Sequence, residues 1–345
     1  MDGYAVRSSE LAEGCHRFRV IGASYAGAPA MDAPPRECAV RVTTGAPMPA
    51  DLDQVIVWEQ VSVSGDFICL APAEHLKRHV RAQGSDFRAG AELLLAGRVI
   101  DPRAMVIAAA AGVGTLTVWR QPRVACLANG DELVSPGAHD SAPHVAPDSL
   151  SQAILLLARQ WLAKPVGARA VGDNVCALAA AAISLLEECD VLVVIGGAAG
   201  GDRDFAKASL AQLGLSIHFA DVAVKPGKPV WYGRIGTKHV LGLPGNPTAA
   251  MTTARLFLAP LLASLGGGEI ATALSYDLRP ITSGFSGASD REQFLCATTT
   301  GYGVKLVERQ SASMQSTLAD ADVLVRVPAH APPLEAGTLV QTLKF

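Results

Sequence analysis

The chain has 345 residues, half of them apolar, and a formal net charge of −3. That length can bury two or three cores, and that charge supplies no polybasic surface to suit a nucleic acid or an anionic membrane. Seven cysteines, at positions 15, 38, 69, 126, 176, 189 and 296, are scattered, with no Cys-x-x-Cys pair; they argue against a disulfide framework and structural zinc, and suit reduced thiols in the cytoplasm. The apolar runs Ala104–Val113 and Val175–Leu186 fall short of the ~20 residues that span a bilayer, and Met1-Asp2-Gly3-Tyr4 opens no signal peptide.

Residues 1–83 read as a β-rich domain, because runs such as Ala39–Val42 and Gln54–Glu59 alternate between turns rich in Gly, Pro and Asp. A short unit follows at 84–121. Its polar turns over Gly84–Gly97 lead to Asp101-Pro102, which opens a helix to Ala111, proline being suited to a first helical turn.

From Pro122 the periodicity changes. Arg123–Ala128 reads as a buried strand, Asp148-Ser149 caps a helix to Leu162, Val166–Val171 is a second strand, and Val175–Glu188 is an alanine-rich helix. Asp190–Ile195 is a third strand, after which Gly196–Gly201 leads into a helix that turns Phe205 and Leu210 inward. Strands near Pro229–Gly233 and His239–Leu243 precede a helix over Thr248–Leu262. Such alternation over 122–266 predicts a parallel sheet with helices on both faces and ligands beyond the strands' carboxyl ends. Gly266–Gly268 reads as a linker. The pattern over 267–345 returns to strands, at Gln293–Ala297, Gly303–Glu308, Val323–Val327 and Thr338–Leu343. The fold class is therefore multidomain α/β: a central parallel-sheet domain between a β-rich N-terminal domain and a C-terminal β-barrel-like one.

Two loops at the predicted ligand edge stand out. Val222–Pro229 carries Lys225 and Lys228 among Pro and Gly, and Leu241–Pro247 carries Pro244, Gly245, Asn246 and Pro247. Proline fixes φ and glycine allows close backbone approach, so such loops can present ammonium and N–H groups to an oxyanion at little entropic cost. Each alone also suits an ordinary turn. His75 and His79 have i, i+4 spacing but no evident third ligand among Lys77, Arg78 and Arg81, so that stretch reads as basic surface. Trp58, Trp119, Trp161 and Trp231 sit in or beside apolar segments and are expected in cores. Gly196–Gly201 departs from Gly-x-Gly-x-x-Gly, which argues against an NAD-type oxidoreductase.

The order of motifs resembles that of the molybdopterin molybdenumtransferases. Met1–Val6 is similar to that family's entry signature and Arg41–Pro49 to its threonine-bearing turn; Gly130–Leu133, Asp148-Ser149, Gly196-Gly197, Lys225–Pro229 and Leu243–Pro247 follow in family order. The resemblance covers nearly the whole chain. It implies a central domain of molybdopterin-binding type, with 84–121 as the remnant of an elongated linking and dimerisation domain. It also implies insertion of molybdate into adenylylated molybdopterin, with magnesium as cofactor and release of AMP, to give the molybdenum cofactor. A homodimer is expected, with a molybdopterin adenylyltransferase as partner.

Carried onto this sequence, the resemblance makes Lys225 and Lys228 the oxyanion holders. Pro226, Pro229, Pro244, Gly245, Asn246 and the helix N-terminus after them would assist through the helix dipole. Asp148, Ser149, Gly196 and Gly197 are expected on the pterin side. Glu132 and Asp204, each following a strand at the ligand edge, are the expected magnesium ligands. Asp173 is a further catalytic candidate, and Asp2, Thr44 and Asp86 would come from the β-rich half, where the family contributes to a shared cleft. Asp131 and Asp148 also suit turn or helix capping.

The chain departs from the family at several points. Ile195 and Ala198 replace serines around the double glycine, Leu150 stands where asparagine usually follows Asp-Ser, and Asn129 stands where threonine precedes Gly-Asp-Glu-Leu. The sequence starts at Met1, where the family carries a helical lead-in, as an internal start would leave it. These departures keep open a non-catalytic pterin-binding or scaffold relative with an eroded active site. The catalytic reading requires Glu132, Asp204 and Lys225 to converge on one cleft.

Overall fold

The structure is a computed structural model that describes residues 1–70, 77–138, 144–197 and 205–345. It forms two compact units, Met1–Glu92 and Leu93–Phe345.

The first unit is a six-stranded sheet. Its strands are β1 (Gly3–Val6), β2 (Arg17–Ser24), β3 (Cys38–Val42), β4 (Gln54–Val57), β5 (Val61–Ser64) and β6 (Phe67–Leu70), in the order β4-β1-β3-β2-β6-β5, with helix α1 (Ser8–Ala12) after β1. Pairing is antiparallel except between β2 and β3. One face buries Val6, Phe18, Ala39, Ile56 and Ile68, as period-two alternation requires. Glu10, on α1, is 1% exposed, and its charge is met by Arg7 and Arg36.

The second unit opens with α2 (Pro102–Ala110), whose N-cap Asp101 accepts from the Ala104 N–H at 2.8 Å. The central sheet then takes β7 (Arg123–Asn129), β10 (Lys164–Val171), β11 (Val191–Ile195), β12 (Ser216–Ala220), β14 (Trp231–Ile235) and β15 (Lys238–Leu243). The short β8 (Leu133–Val134) and β9 (Ala146–Pro147) pair apart from it, and β13 (Val224–Lys225) belongs elsewhere. The helices are α3 (Ser151–Gln160), α4 (Val175–Glu188), α5 (Phe205–Ala211), α6 (Pro247–Thr253) and α7 (Ala259–Leu265).

Central strand order is β10-β7-β11-β15-β14-β12. The first four run parallel, and β14 and β12 extend the edge antiparallel. Alternation read β14 as another parallel strand. The two residues Gly236-Thr237 that join it to β15 are too few for a crossover, so they fold back as a hairpin. Successive residues of β7 and β11 feed opposite cores. Val124, Cys126, Val191 and Val193 pack with α3, α6 and α7, while Ala125, Leu127, Leu192 and Val194 pack with α4 and α5.

A π-helical turn, Ala254–Leu258, joins α6 to α7. Together Pro247–Leu265 is, among the described residues, the one helix long and apolar enough to cross a bilayer, longer than the two apolar runs singled out in the sequence. Two-thirds of it is buried in this unit, as a core helix would be. Arg255 is 4% exposed and its guanidinium donates to the carbonyls of Lys344 at 2.6 Å and Ala273 at 2.8 Å while stacking on Trp161 at 4.8 Å. It therefore ties the helical layer to the chain's last strand.

After α8 (Ile270–Ala273), the C-terminal domain contributes β16 (Asp277–Pro280), β17 (Glu292–Thr300), β18 (Gly303–Leu306), β19 (Val323–Val327) and β20 (Leu339–Lys344), with α9 (Ser316–Ala319) before β19. Its sheet runs β13-β17-β19-β20-β16, with β18 on β17. The first of these strands comes from far upstream: Val224 pairs with Glu292 and Lys225 with Gln293.

The tryptophans do not share one environment. Trp231 is fully buried, as expected, but Trp58 is 41% and Trp119 68% exposed, and Trp161 is half-buried beneath Arg255. Arg41 covers Trp58 at 4.7 Å, so a cation over the ring replaces burial.

Asp190, ahead of β11, accepts from Arg120 at 2.8 Å and from the Arg123 backbone N–H at 2.8 Å. Burial alone would raise its pKa, but these donors outweigh it and hold the carboxyl well below the usual range. A depressed pKa adds stability above the unfolded value that is lost as pH falls through the folded one. Arg123→Ala is thus expected to move acid unfolding to higher pH, read as the midpoint of a pH-dependent circular-dichroism transition; superimposable profiles would contradict this.

Candidate functional site

Two adjoining cavities open at the carboxyl edge of the central sheet, sharing Pro229, Pro244 and Asn246. The first, of about 490 Å³, is floored by the ends of β7 and β11 and walled by Glu132, Asp148, Ser149 and Asp173. The second, of about 600 Å³, lies between the α/β and C-terminal domains and is walled by Lys225, Lys228 and Arg291. Both fall in the range of small-ligand sites. Charge is divided between them. Among the described residues the first is lined by no basic side chain and the second by no acidic one.

The acidic cavity is built from strand ends. Gly196 and Gly197 follow β11 at φ of 88° and 61°, left-handed values that favour glycine. A Cβ on Gly196 would lie 2.7 Å from the Asn129 carbonyl oxygen, so the turn sits directly on β7. Asn129 Nδ2 donates to Asp173 Oδ1 at 2.9 Å, and the Asp173 N–H donates to Asp131 Oδ1 at 2.8 Å. Asp131 is therefore occupied in holding the turn, and Asp173 reaches the cavity with its second oxygen free of partners among the described residues. Asp148 accepts from the N–H groups of Leu150 at 3.2 Å and Ser151 at 3.0 Å. It caps α3 and walls the cavity at once.

The cationic cavity depends on β13. Because Val224-Lys225 is a strand of the C-terminal sheet, the lysine loop leaves that sheet beside β17, which Arg291 immediately precedes. Gly227, at φ 117°, packs so close to the π-turned helix that a Cβ would lie 2.2 Å from Thr253 Cγ2. Lys225 and Lys228 are exposed, available to a ligand.

One expectation fails here. The N-terminus of α6 does not face an anion: Pro247 has no N–H, and the Thr248 and Ala249 N–H groups donate to the Ala312 carbonyl at 3.0 and 3.4 Å. A loop of the C-terminal domain supplies the acceptor that the helix dipole favours. Pro244, Gly245 and Asn246 still line the cavities, as do Pro226 and Pro229.

Within the first unit, Asp2 and Thr44 meet. Asp2 Oδ1 accepts from the Thr44 N–H at 2.7 Å and its hydroxyl at 2.8 Å, and those bonds, the backbone one foremost, lower the Asp2 pKa. Asp86 is exposed in the same unit. Asp204 and His75 lie outside the described residues.

Sequence reasoning missed the contribution of the C-terminal domain. Phe285, Ser289, Arg291, Gln310 and Ser311 wall the cationic cavity and Gln315 the acidic one. The Gly/Ser-rich turn Ser283–Ser289 ahead of an arginine was a visible signal, but only the pairing of β13 with β17 brings it to the lysines.

Of the two expected magnesium ligands, only Glu132 is among the described residues, and its side chain fits. No donor among the described residues engages the Glu132 carboxylate, and no three His, Cys, Asp or Glu side chains there close into a metal cage. That suits an ion that takes one or two carboxylates and otherwise keeps waters and phosphates.

Residues 1–112 match the MoeA N-terminal region (domain I and II), 125–264 a probable molybdopterin binding domain and 279–345 the MoeA C-terminal region (domain IV). The chain is 33% identical to the molybdopterin molybdenumtransferase of Haemophilus influenzae over 77% of its own length and 66% of that protein's. It is 32% identical to that of Synechococcus elongatus over 99% and 86%. The molybdopterin biosynthesis MoeA protein from Pyrococcus horikoshii superposes with a TM-score of 0.80 at 26% identity, covering all of this chain and 86% of that one.

Proposed function

Because the chain belongs to the molybdopterin molybdenumtransferase family, we propose that it inserts molybdate into adenylylated molybdopterin and releases AMP. The observation that carries this is the pair of joined cavities with opposite charge. A free dianion is repelled by the carboxylates and held by Lys225, Lys228 and Arg291, so molybdate binds in the cationic cavity. The adenylylated pterin binds in the acidic cavity, against the Gly196-Gly197 turn, with Asp148 and Ser149 beside it.

Its phosphate can approach Glu132 and Asp173 only with a cation between them. Glu132 and Asp204 would hold magnesium, which would supply that charge and polarise the phosphate. Asn129 keeps Asp173 aimed at the cavity, while Pro229, Pro244 and Asn246, common to both walls, set the distance from dithiolene to oxyanion. The protein works as a homodimer in the cytoplasm, receiving substrate from a molybdopterin adenylyltransferase. Its seven free cysteines suit that compartment; the exposed Met105, Val106 and Val113 on and after α2 suit a subunit contact.

The test is AMP release from adenylylated molybdopterin with magnesium and molybdate. Glu132→Gln is expected to lower the rate about 100-fold, the scale of losing one electrostatic stabiliser. Release by the wild type no faster than without protein would leave the alternative, a non-catalytic pterin-binding relative.

A further inference from the structure

The segment Gln310–Gln315 passes from one cavity to the other. Gln310, Ser311 and Ala312 wall the cationic cavity and Gln315 the acidic one. Its ends are fixed inside the C-terminal domain: the Gln310 side chain exchanges hydrogen bonds with the Cys296 backbone, and Thr317 Oγ1 donates to the Arg309 carbonyl. Its middle is fixed by α6. Thr248, 3% exposed, donates its hydroxyl to the Met314 carbonyl at 2.8 Å and its N–H to the Ala312 carbonyl at 3.0 Å.

Resting on the reading of the cationic cavity as the oxyanion site, we propose that Thr248 is a positioning residue for oxyanion capture: by clamping Ala312 and Met314 it holds Ser311 against the cavity opposite Lys225 and Lys228. Thr248 is itself part of the cavity wall, but it is 3% exposed and gives its hydroxyl proton to the Met314 carbonyl, so that proton orders the loop rather than serving a ligand. A preordered wall binds with less entropy lost than one that must be immobilised on binding. The carbonyl of Ala312 also keeps the α6 N–H groups from competing for the anion, leaving its orientation to side chains.

Thr248→Val keeps the branched shape and the backbone N–H but removes the hydroxyl, stranding the Met314 carbonyl; Thr248→Ser keeps the hydroxyl. In the full chain, hydrogen exchange over 311–315 reads the clamp, and calorimetric titration with molybdate and, separately, AMP reads its consequence. Valine is expected to speed exchange in that segment and weaken molybdate roughly 3- to 10-fold, the scale of one buried hydrogen bond. AMP affinity should shift less than about twofold, since Gln315 alone of the segment walls its cavity, and serine should restore wild-type values. Unchanged exchange in the valine variant, unchanged molybdate affinity despite faster exchange, equal weakening of both ligands, or no rescue by serine would each overturn the proposal. A wild-type chain that binds no molybdate would instead remove the oxyanion reading, and the role of Thr248 with it, while exchange would still report whether the clamp exists.

Discussion

Lys225→Ala is expected to reduce kcat/KM for molybdate roughly 10- to 100-fold, the scale of a lost charge-assisted hydrogen bond of about 1.5–3 kcal/mol. Lys225 sits on a two-residue strand whose register with Gln293 is set by the C-terminal sheet, so its replacement by alanine leaves the backbone in place and removes the ammonium with its stem. The loss should therefore appear as a higher KM for molybdate with binding of the adenylylated substrate little changed. Lys225→Arg should recover part of the loss, because it restores charge but not the compact ammonium. Wild-type saturation by molybdate in the alanine variant would remove Lys225 from the oxyanion site.

The second large effect is expected at Gly227. Its φ of 117° is a backbone state that L side chains rarely adopt, and a Cβ would meet Thr253 Cγ2 at 2.2 Å. Thr253 cannot swing aside freely, because its hydroxyl donates to the Ala249 and Ala250 carbonyls at 2.7 and 3.1 Å. Gly227→Ala should cost about 2–4 kcal/mol, combining overpacking with backbone strain. Thermal unfolding should read this as a drop of roughly 2–4 °C per kcal/mol. If the loop yields instead, the melt will be preserved and molybdate affinity lost. A variant matching wild type in both would show that this contact tolerates a methyl group.

Much of the frame was legible in the sequence because its periods are clean. The helix expected at Val175–Glu188 and the strand at Val323–Val327 have those bounds in the structure, and Asp101 caps its helix as Asp-Pro suggested. Strand β12 escaped notice although Ser216–Phe219 alternate polar and apolar, because a run of five exposed residues is too short to stand out from the loops around it. Strand β13 escaped because two residues carry no period at all.

The site was legible to the same extent. Glu132 and Asp173 could be placed by their position after strands, since local sequence fixes where a strand ends, and Lys225 and Lys228 by the Pro/Gly loop that carries them. Arg291 and Ser311 could not, because their place depends on a pairing between distant segments. The α6 terminus was misjudged for a related reason: a helix start shows its N–H groups in the sequence, but not the carbonyl of Ala312 that has already claimed them. The exposure of Trp58 and Trp119 likewise depends on neighbours that composition does not reveal.

That Val224 and Lys225 find their strand partners only at Glu292 and Gln293 bears on the order in which the protein matures. During synthesis the acidic hollow beneath Gly196 can close once β15 and α6 have emerged, apart from the wall that Gln315 adds. The lysines must wait for β17. A nascent chain thus completes its carboxylate-lined hollow before its lysine-lined one, and the two halves of the site mature in chain order.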